Sequence, residues 1–279
     1  MNKLVSYLFD FKKQSREVKW FKNALSLYLL YKAFIYIFLF SELFSNNRLI
    51  FHFIKQTNSL IDIAFFLNIH YSQSFALILI LLIAIFSFLE LLNVSNYFIR
   101  FMLWIIMNNM SNFLNATLTA GDYLLNLFLF FNIFLSHKTY RHLVLNELTN
   151  AFHNIFLIAL KIQICLVYFL SACYKLSDVN WLNGSSVYKI FQIPEYSNSL
   201  FKALPYWICV VGTYLVLFYQ LSFIVTVWIK SIKKYVLIFG IFLHLIIAFG
   251  LGLFNFGVIM ILAYIPFLNY DYSINTRID

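Results

Sequence analysis

Apolar stretches recur along the whole chain, and they constrain the fold more than any other feature. The runs cover about 23–45, 73–93, 97–112, 120–136, 154–175, 206–229, 235–252 and 253–269. A helix needs about 20 predominantly apolar residues to span the hydrocarbon core of a bilayer. Because lipid offers the backbone no hydrogen-bond partners, each run is expected to be a helix. The sequence therefore predicts an all-α, polytopic transmembrane helix bundle of about eight helices.

The composition excludes the main alternatives. Hydrophobic residues make up 62% of the 279 residues and charged residues only 11%, against about 25% charged in a typical soluble domain. Disordered chains have the opposite balance. The net charge of +9 could indicate nucleic-acid binding in a soluble protein. Here the basic residues lie in short loops beside apolar runs, which is the pattern of membrane topology. We expect the lipid bilayer as a partner and no nucleic acid.

The loop charges predict an orientation. With the N-terminus inside, the inside segments hold 13 Lys and Arg residues, including Lys22 and Arg100, and the outside segments hold five. This asymmetry favours both termini in the cytoplasm. The expected organisation is a basic cytoplasmic or interfacial N-terminus (1–22), a transmembrane domain (23–270) and a short cytoplasmic tail (271–279). No cleavable signal peptide is expected, because the first 22 residues are too polar.

Three charged residues interrupt the first two apolar runs, namely Lys32, Glu42 and Glu90. A charged side chain at mid-bilayer costs a few kcal/mol, so each needs a partner or a function. The ten residues between Lys32 and Glu42 put them about 80° apart around a helix. We therefore expect partners on other helices rather than a pair within the first helix.

The fifth run carries a regular polar stripe. Asn154, Lys161, Tyr168 and Lys175 repeat every seven residues, and this spacing drifts only about 20° per step around a helix. A polar stripe in a membrane helix must face other helices or a wet cavity. The stripe is therefore either interhelical hydrogen-bond glue or the wall of a functional cavity. Lys175, at its outer end, either snorkels to the headgroups or acts as a base.

Two further polar features point to the same outer side. The polar segment from Asn108 to Asp122 joins the third and fourth helices. Asp122 either caps the fourth helix or belongs, with Asn108, to a polar wall at the mouth of the cavity. His244 is alone in the seventh helix, and Cys165, Cys173 and Cys209 form no CxxC pair. No metal site is therefore expected.

Several stretches together resemble the HTTM (horizontally transferred transmembrane) domains, whose best-known branch is the vitamin K-dependent gamma-carboxylases. The residues that carry the resemblance are Leu166–Leu176 with Tyr174-Lys175-Leu176, Asn180–Val187 with Trp181-Leu182-Asn183-Gly184, Gly121-Asp122-Tyr123-Leu124-Leu125, and His244 with Phe256-Gly257-Val258-Ile259-Met260. Their order along the chain strengthens the resemblance, which extends over about 20–270.

The resemblance implies an enzyme that binds a quinone or hydroquinone. In the carboxylases a lysine in this element deprotonates vitamin K hydroquinone at the outer side, and Lys175 occupies the matching place. His244 matches a histidine near the quinone pocket. Tyr168 and Asp122 would orient or polarise the bound group, and we assign Lys161, Trp181 and Asn108 to the same pocket.

The chain departs from the carboxylases in three respects. Ala120-Gly121-Asp122-Tyr123-Leu124 stands where the carboxylases have Asn-His-Ser-Tyr-Leu, so a catalytic histidine is missing. The spacing from Lys175 to Trp181 is one residue longer than in the family. The chain is expected to lack the large C-terminal extramembrane domain that binds propeptide and glutamate. These departures argue against glutamate gamma-carboxylation by this chain alone.

Three functions remain open from the sequence. The first is a membrane enzyme with Lys175 as base. The second is an accessory factor for maturation of, or immunity to, a secreted peptide, since HTTM relatives include maturation factors for sporulation-delaying toxin peptides. A secreted peptide or a partner chain is then the expected partner. The protein itself is expected in the cytoplasmic (inner) membrane of a bacterium. The third is a transporter, which the absence of internal repeats and the low counts of 7 Gly and 3 Pro disfavour.

Overall fold

The computed structural model describes residues 15–44, 72–114, 118–136, 143–195, 197 and 199–268. The α-helices are α1 (Ser15–Phe38), α2 (Phe40–Phe44), α3 (Gln73–Leu91), α4 (Tyr97–Phe113), α5 (Ala120–Phe134), α6 (Leu143–Leu176), α7 (Val179–Leu182), α8 (Ser186–Gln192), α9 (Ser199–Lys202), α10 (Tyr206–Thr226), α11 (Lys230–Leu245) and α12 (Phe254–Leu262). A π-helical turn, Ile246–Gly250, continues α11, and a 3₁₀ turn, Ile265–Phe267, follows α12.

The predicted all-α membrane helix bundle is confirmed. Within the described residues, four segments are long and apolar enough to cross a membrane, namely Gln73–Leu91, Val144–Leu176, Tyr206–Thr226 and Lys230–Gly250. Two shorter apolar segments, Ala120–Phe134 and Phe254–Phe267, accompany them. The number of crossings, the side of the termini and the division into residues 1–22, 23–270 and 271–279 stay predictions.

Two helices extend beyond the apolar runs that predict them. The first begins at Ser15 rather than near residue 23, so part of the basic N-terminal segment continues the membrane helix. The longest, α6, begins at Leu143 rather than near residue 154 and ends at Leu176. Helix formation continues past the apolar core because polar residues outside it can still complete backbone hydrogen bonds.

Side-chain caps define where three helices begin. Ser72 accepts a hydrogen bond from the Phe75 N–H at 3.2 Å, and Asn96 accepts one from the Ile99 N–H at 2.9 Å. At α5 a capping box joins Thr119 to Asp122. These contacts satisfy N–H groups that a helix start otherwise leaves without partners.

The helices pack in a sequential arrangement. Helix α1 packs on α3, α3 on α4, α4 on α5, and α5 on both α6 and α12. Helix α10 lies against α6, while α11 contacts α12. The short helices α7 and α8 lie over one end of α6 and α10 respectively. We call this end of the bundle the capped end and the end where α11 begins the basic end.

A small residue allows α12 to approach α11 closely. Gly257 of α12 lies so near α11 and the π turn that an added Cβ would come within 2.6 Å of the His244 carbonyl oxygen and 2.7 Å of the Ala248 Cβ. Gly252 has φ +67°, a conformation that glycine adopts readily. It breaks the helical path between the π turn and α12, so that α12 can fold back against α11.

A buried charge network lies at the basic end. The Glu90 carboxylate lies 2.8 Å from Lys22 Nζ and 3.2 Å from Arg100 Nε, and it accepts a hydrogen bond from Ser95. Arg100 Nη1 also donates to the Leu135 carbonyl oxygen at 2.6 Å. Glu90 therefore has the interhelical partners expected of it. Lys22 and Arg100, however, are buried ion-pair members and not the loop charges that the topology argument assumed.

Candidate functional site

A cavity of about 450 Å³ lies at the capped end between α6, α10, α11 and α12. The segment from α7 to α9, which joins α6 to α10, contributes to its wall. Its volume falls within the range of about 300–1,000 Å³ that is typical of small-molecule pockets. Protein interiors are close-packed. A cavity of ligand size inside a helix bundle is therefore a distinctive feature.

The cavity wall is predominantly apolar. Its apolar residues are Val167, Val187, Ile190, Phe191, Phe201, Leu204, Ile208, Cys209, Gly212, Leu215, Val216, Phe239, Phe242, Leu243, Ile246, Ile247, Leu251, Leu253, Phe256 and Met260. Six side chains with a hydrogen-bonding group interrupt this wall, namely Tyr168, Ser171, Lys175, Trp181, Gln220 and His244. An apolar wall with a few polar groups is the usual composition of a site for an amphipathic ligand.

The structure brings four of the seven sequence-predicted site residues to this one cavity. Tyr168 and Lys175 come from the same face of α6, Trp181 from α7, and His244 from the end of α11. The seven-residue spacing on α6 separates Tyr168 from Lys175 by about 10 Å along the helix axis. The two stripe residues nearest the capped end, Tyr168 and Lys175, therefore lie along the cavity wall.

Lys175 has a hydroxyl and an aromatic ring as neighbours. Its Nζ donates a hydrogen bond to Ser171 Oγ at 2.7 Å and lies 5.1 Å from the ring centroid of Trp181. Among the described residues, no carboxylate is ion-paired with it. An ammonium group has three donors, so Lys175 can offer the remaining ones to an acceptor in the cavity.

A chain of hydrogen bonds leads away from His244. The Tyr168 hydroxyl lies 2.7 Å from His244 Nε2 and is also hydrogen-bonded to the Tyr264 hydroxyl. Tyr264 is joined to Tyr219 at 2.9 Å, and Tyr219 donates to the Val236 carbonyl oxygen at 3.3 Å. The chain thus connects the imidazole to a backbone carbonyl through three buried hydroxyls.

The far end of this chain sets the direction of every hydrogen bond in it. A carbonyl oxygen can only accept, so Tyr219 donates to it and must accept from Tyr264. Tyr264 then accepts from Tyr168, whose oxygen accepts from Nε2 of His244. His244 is consequently the Nε2–H tautomer, and its Nδ1 carries a lone pair.

Two buried polar atoms of the wall residues have no hydrogen-bond partner, namely His244 Nδ1 and Gln220 Oε1. Both can accept a hydrogen bond. An unsatisfied buried acceptor costs free energy, so a ligand with a donor group would stabilise this part of the wall. Unsatisfied groups of this kind often mark functional sites.

Two local features of α11 place His244 and its hydroxyl partners. The π turn that starts at Ile246 changes the helix register directly after His244, and such π segments occur frequently at functional sites. Gly240 lies one turn before His244, and a Cβ there would collide with the hydroxyls of Tyr219 and Tyr264. The hydroxyl chain therefore requires glycine at this position.

Asp122 does not line this cavity, in contrast to the expected polar wall at its mouth. Its carboxylate is ion-paired with Lys32 of α1, and both side chains are buried. It also accepts hydrogen bonds at 2.8 Å from the N–H and the hydroxyl of Thr119, which completes the cap of α5. Asp122 is thus a structural cap and ion-pair partner, because a buried carboxylate is retained where a cation and donors neutralise it.

Asn108 and Lys161 also lie away from the cavity. Asn108 Nδ2 donates to the Trp104 carbonyl oxygen at 2.9 Å, within its own helix. Lys161 lines a second cavity of about 130 Å³, on the part of α6 nearer the basic end. Of the four stripe residues, Tyr168 and Lys175 line the first cavity and Lys161 lines the second, while Asn154 lines neither.

Four functional candidates were missed by the sequence argument: Ser171, Tyr219, Gln220 and Tyr264. Ser171 could have been found, because it stands four residues before Lys175 and therefore on the same helix face. The two tyrosines carried no comparable signal, since they belong to a chain with 19 Tyr.

Comparison with known proteins gives one partial similarity. The chain is 30% identical over 117 residues to the sporulation-delaying protein SdpB of Bacillus subtilis (strain 168). The match covers 39% of this chain and 36% of that protein, so the matched region spans about a third of the relative's length. No family model and no solved structure matches the chain.

Proposed function

We propose that the capped-end cavity binds a quinone-like lipid and that Lys175 acts there as a base, in a membrane enzyme of the HTTM type. The observation that carries the proposal is that Lys175, Trp181, Tyr168 and His244 line one cavity. Tyr168, Lys175 and Trp181 belong to two neighbouring stretches that carry the HTTM resemblance, and His244 belongs to another such stretch much later in the sequence. Their convergence supports a common ligand.

The cavity residues fit a quinone-like headgroup. A quinone has a planar apolar ring with oxygens at opposite edges, and it supplies reversible two-electron chemistry when bound. The apolar wall suits the ring and an isoprenoid tail. Lys175 can donate to one oxygen, and the acceptors Nδ1 of His244 and Oε1 of Gln220 suit the hydroxyl of a reduced ring.

The protein's own groups have distinct roles in this proposal. Lys175, in its neutral form, accepts a proton at Nζ from a ligand hydroxyl, and Ser171 orients the amine. Tyr168 holds the imidazole of His244 through its hydrogen bond to Nε2. The helices α7 and α8 line one side of the site, and exclusion of water by a bound ligand on that side would strengthen the electrostatic interactions there.

We further propose a specific topology, with eight membrane crossings, both termini in the cytoplasm and a bacterial cytoplasmic membrane as the location. This orientation places Lys175 and the capped end on the outer side, as the loop charges predict. Fusions of a reporter to each terminus test it. Activity of a periplasm-dependent reporter at either terminus would contradict the topology.

A cavity-filling variant tests ligand binding. Gly212 lines the cavity, and the nearest heavy atom to an added Cβ is Val187 Cγ1 at 3.8 Å. Gly212→Leu should therefore occupy ligand space without displacing the backbone. Organic extraction of the purified full chain should yield an isoprenoid quinone for the wild type and much less for Gly212→Leu. Equal quinone content in both proteins at equal thermal stability would overturn the assignment of the cavity.

A second function is an accessory role in handling a secreted peptide. The observation that favours it is the similarity to the sporulation-delaying protein SdpB. In that case a peptide or a partner chain is the ligand, and proton transfer by Lys175 is not required. Co-purification of a small secreted peptide with both wild type and Lys175→Met would support this function. Loss of activity in Lys175→Met, with folded protein retained, would favour the enzyme.

A further inference from the structure

The capped-end cavity reaches the outer surface of the bundle between two of its helices. Leu215 of α10 and Phe242 of α11 both line the cavity, and yet these residues are 47% and 61% exposed. Ile208 of α10 and Phe239 of α11 have the same two properties. A side chain that lines a cavity and is also exposed on the surface marks a place where the cavity opens. We call the opening between Leu215 and Phe242 the lateral gap.

The packing of α10 against α11 explains why the lateral gap lies at this level. Near the short turn that joins the two helices, the Tyr219 hydroxyl donates to the Val236 carbonyl oxygen at 3.3 Å, and the Tyr219 and Phe239 ring centroids are 5.1 Å apart. Leu215 lies about one helical turn from Tyr219, and Phe242 about one turn from Phe239, both towards the capped end. From this level onwards, side chains of both helices line the cavity.

Aromatic packing bridges the cavity nearer the capped end. Phe191 of α8 and Phe201 of α9 both line the cavity, and their ring centroids are 4.9 Å apart. Phe201 also lies against the π turn, since a Cβ added at Gly250 would come within 2.7 Å of its ring atoms. These contacts hold the segment from α8 to α9 against the end of α11, beyond the lateral gap.

The surroundings of the lateral gap are those of a surface that faces lipid. Leu215 lies near the middle of Tyr206–Thr226 and Phe242 lies within Lys230–Gly250, and both segments are long and apolar enough to cross a membrane. Exposed neighbours on the same helices, such as Phe218 and Ile238, are apolar as well. At this depth a bilayer offers hydrocarbon. An opening lined by Leu and Phe side chains gives a polar solute no hydrogen bond, whereas it buries an apolar chain favourably.

We propose that the lateral gap holds the apolar tail of the bound lipid, which extends through it into the bilayer. This inference rests on the proposed quinone-like ligand and specifies its shape, a compact polar ring with a long hydrocarbon chain. The cavity of about 450 Å³ has the size of a small-molecule pocket, so a long tail must continue outside it. Leu215 and Phe242 then contact the tail, while Lys175 and His244 contact the ring.

A comparison of two quinones tests this inference in the full chain in lipid discs. One is a methylnaphthoquinone without a tail, and the other is the same ring with a long isoprenoid tail. Both are titrated by quenching of tryptophan fluorescence. Leu215→Phe should weaken binding of the tailed quinone about tenfold, because the narrowed gap removes the burial of roughly two methylene groups of the tail. Its affinity for the quinone without a tail should be unchanged.

The matched control is Val225→Phe, since Val225 is an exposed apolar residue of α10 that does not line the cavity. Both quinones should bind this variant as they bind the wild type. All proteins are compared in the same discs, so that partitioning of the tail into lipid cancels. Equal weakening of both quinones in Leu215→Phe, or weakening of neither, would overturn the lateral gap while leaving the quinone site in place. If neither quinone binds the wild type, the quinone site itself is wrong, and the lateral gap fails with it.

Photolabelling locates the tail without any substitution. A tailed quinone with a diazirine on its tail is photolysed in the discs, and the labelled peptides are identified by mass spectrometry. Labelling at Leu215 and Phe242 should be lost when an excess of unlabelled tailed quinone competes, whereas labelling of Val225 from the bulk lipid should persist. Competed labelling confined to Phe191 and Phe201 would show that the tail leaves towards the capped end, and it would contradict the proposal.

Discussion

The hydroxyl of Tyr168 lies 2.7 Å from Nε2 of His244, and this contact links the longest helix to the helix that ends in a π turn. It is the first member of a hydrogen-bonded chain that ends at a backbone carbonyl. Because the carbonyl accepts, the direction of the chain leaves His244 Nδ1 as an acceptor. The hydrogen bonds among the three tyrosines thus determine which nitrogen of His244 can accept a hydrogen bond from a ligand in the cavity.

Removing the middle hydroxyl of this chain should affect both stability and binding. Tyr264→Phe should lower the free energy of unfolding by about 1–2 kcal/mol, because a buried hydrogen bond is lost and its neighbours lose a partner. It should also weaken quinone binding, since Tyr168 can then donate to His244 and reverse the tautomer. Thermal unfolding and quinone titration check the two effects. The control is Tyr235→Phe, because Tyr235 is 70% exposed on α11. An equal effect of both variants would contradict the proposed direction of the hydrogen bonds from His244 to the Val236 carbonyl oxygen.

Introducing a side chain at Gly240 should have a related but larger effect. An added Cβ would collide with the hydroxyls of Tyr219 and Tyr264, so Gly240→Ala should displace both rings. We expect a loss of about 1–3 kcal/mol, as is usual for overpacking of a core. The measurement is the thermal unfolding midpoint in detergent. Gly212→Ala is the matched control, because its Cβ would have ordinary contact distances. Equal stability of the two variants would argue against the tight packing described for Gly240.

The buried pair of Lys32 and Asp122 predicts a non-additive pair of substitutions. Lys32→Met leaves the carboxylate buried without its cation and should cost about 3–5 kcal/mol. Adding Asp122→Asn removes the charge but keeps an acceptor for the Thr119 N–H. The double variant should therefore be more stable than Lys32→Met alone, as measured by unfolding in a double-mutant cycle. Additive losses would show that the two groups do not interact.

The Glu90 network predicts a second stability effect at the opposite end. Glu90→Gln leaves Lys22 and Arg100 buried together without the carboxylate that both contact. We expect a strong loss of folded protein, because the carboxylate that contacts both buried cations is then no longer charged. The control is Glu147→Gln on α6, where the side chain is exposed. The yield of monodisperse protein after size-exclusion chromatography measures the difference, and similar yields would mean that the network contributes little.

The sequence predicted the all-α membrane helix bundle because the signal of an apolar helix is local. Long apolar runs specify membrane helices whatever surrounds them, and the seven-residue spacing placed Tyr168 and Lys175 on one face of α6. Boundaries were less predictable. The first helix includes Ser15 to Lys22, and the buried ion pair of Lys22 with Glu90 allows this polar segment to pack inside the bundle.

The partners of individual side chains could not be predicted, because they depend on contacts between distant segments. Lys32 and Asp122 are 90 residues apart, and Tyr168 and Tyr264 are 96 residues apart. Arg100 has the sequence context of a loop charge, and only the approach of α3 and α4 shows that it contacts Glu90. Lys161 likewise lines a different cavity from Tyr168 and Lys175, because residues of α10 and α11 pack between them, and the periodicity of α6 alone does not predict that packing.

The assignment of the capped-end cavity depends on Trp181 and Lys175, and quinone quenching of tryptophan fluorescence tests it most directly. A short-tailed naphthoquinone is titrated into the full chain in lipid discs. We predict saturable quenching that Trp181→Phe largely removes, because Trp181 lines the cavity. Lys175→Met should weaken the affinity roughly tenfold, as expected for loss of a buried hydrogen bond to a quinone oxygen, whereas Lys189→Met, outside the cavity, should not. Quenching that is absent, or that is unchanged in Trp181→Phe and Lys175→Met, would contradict the assignment.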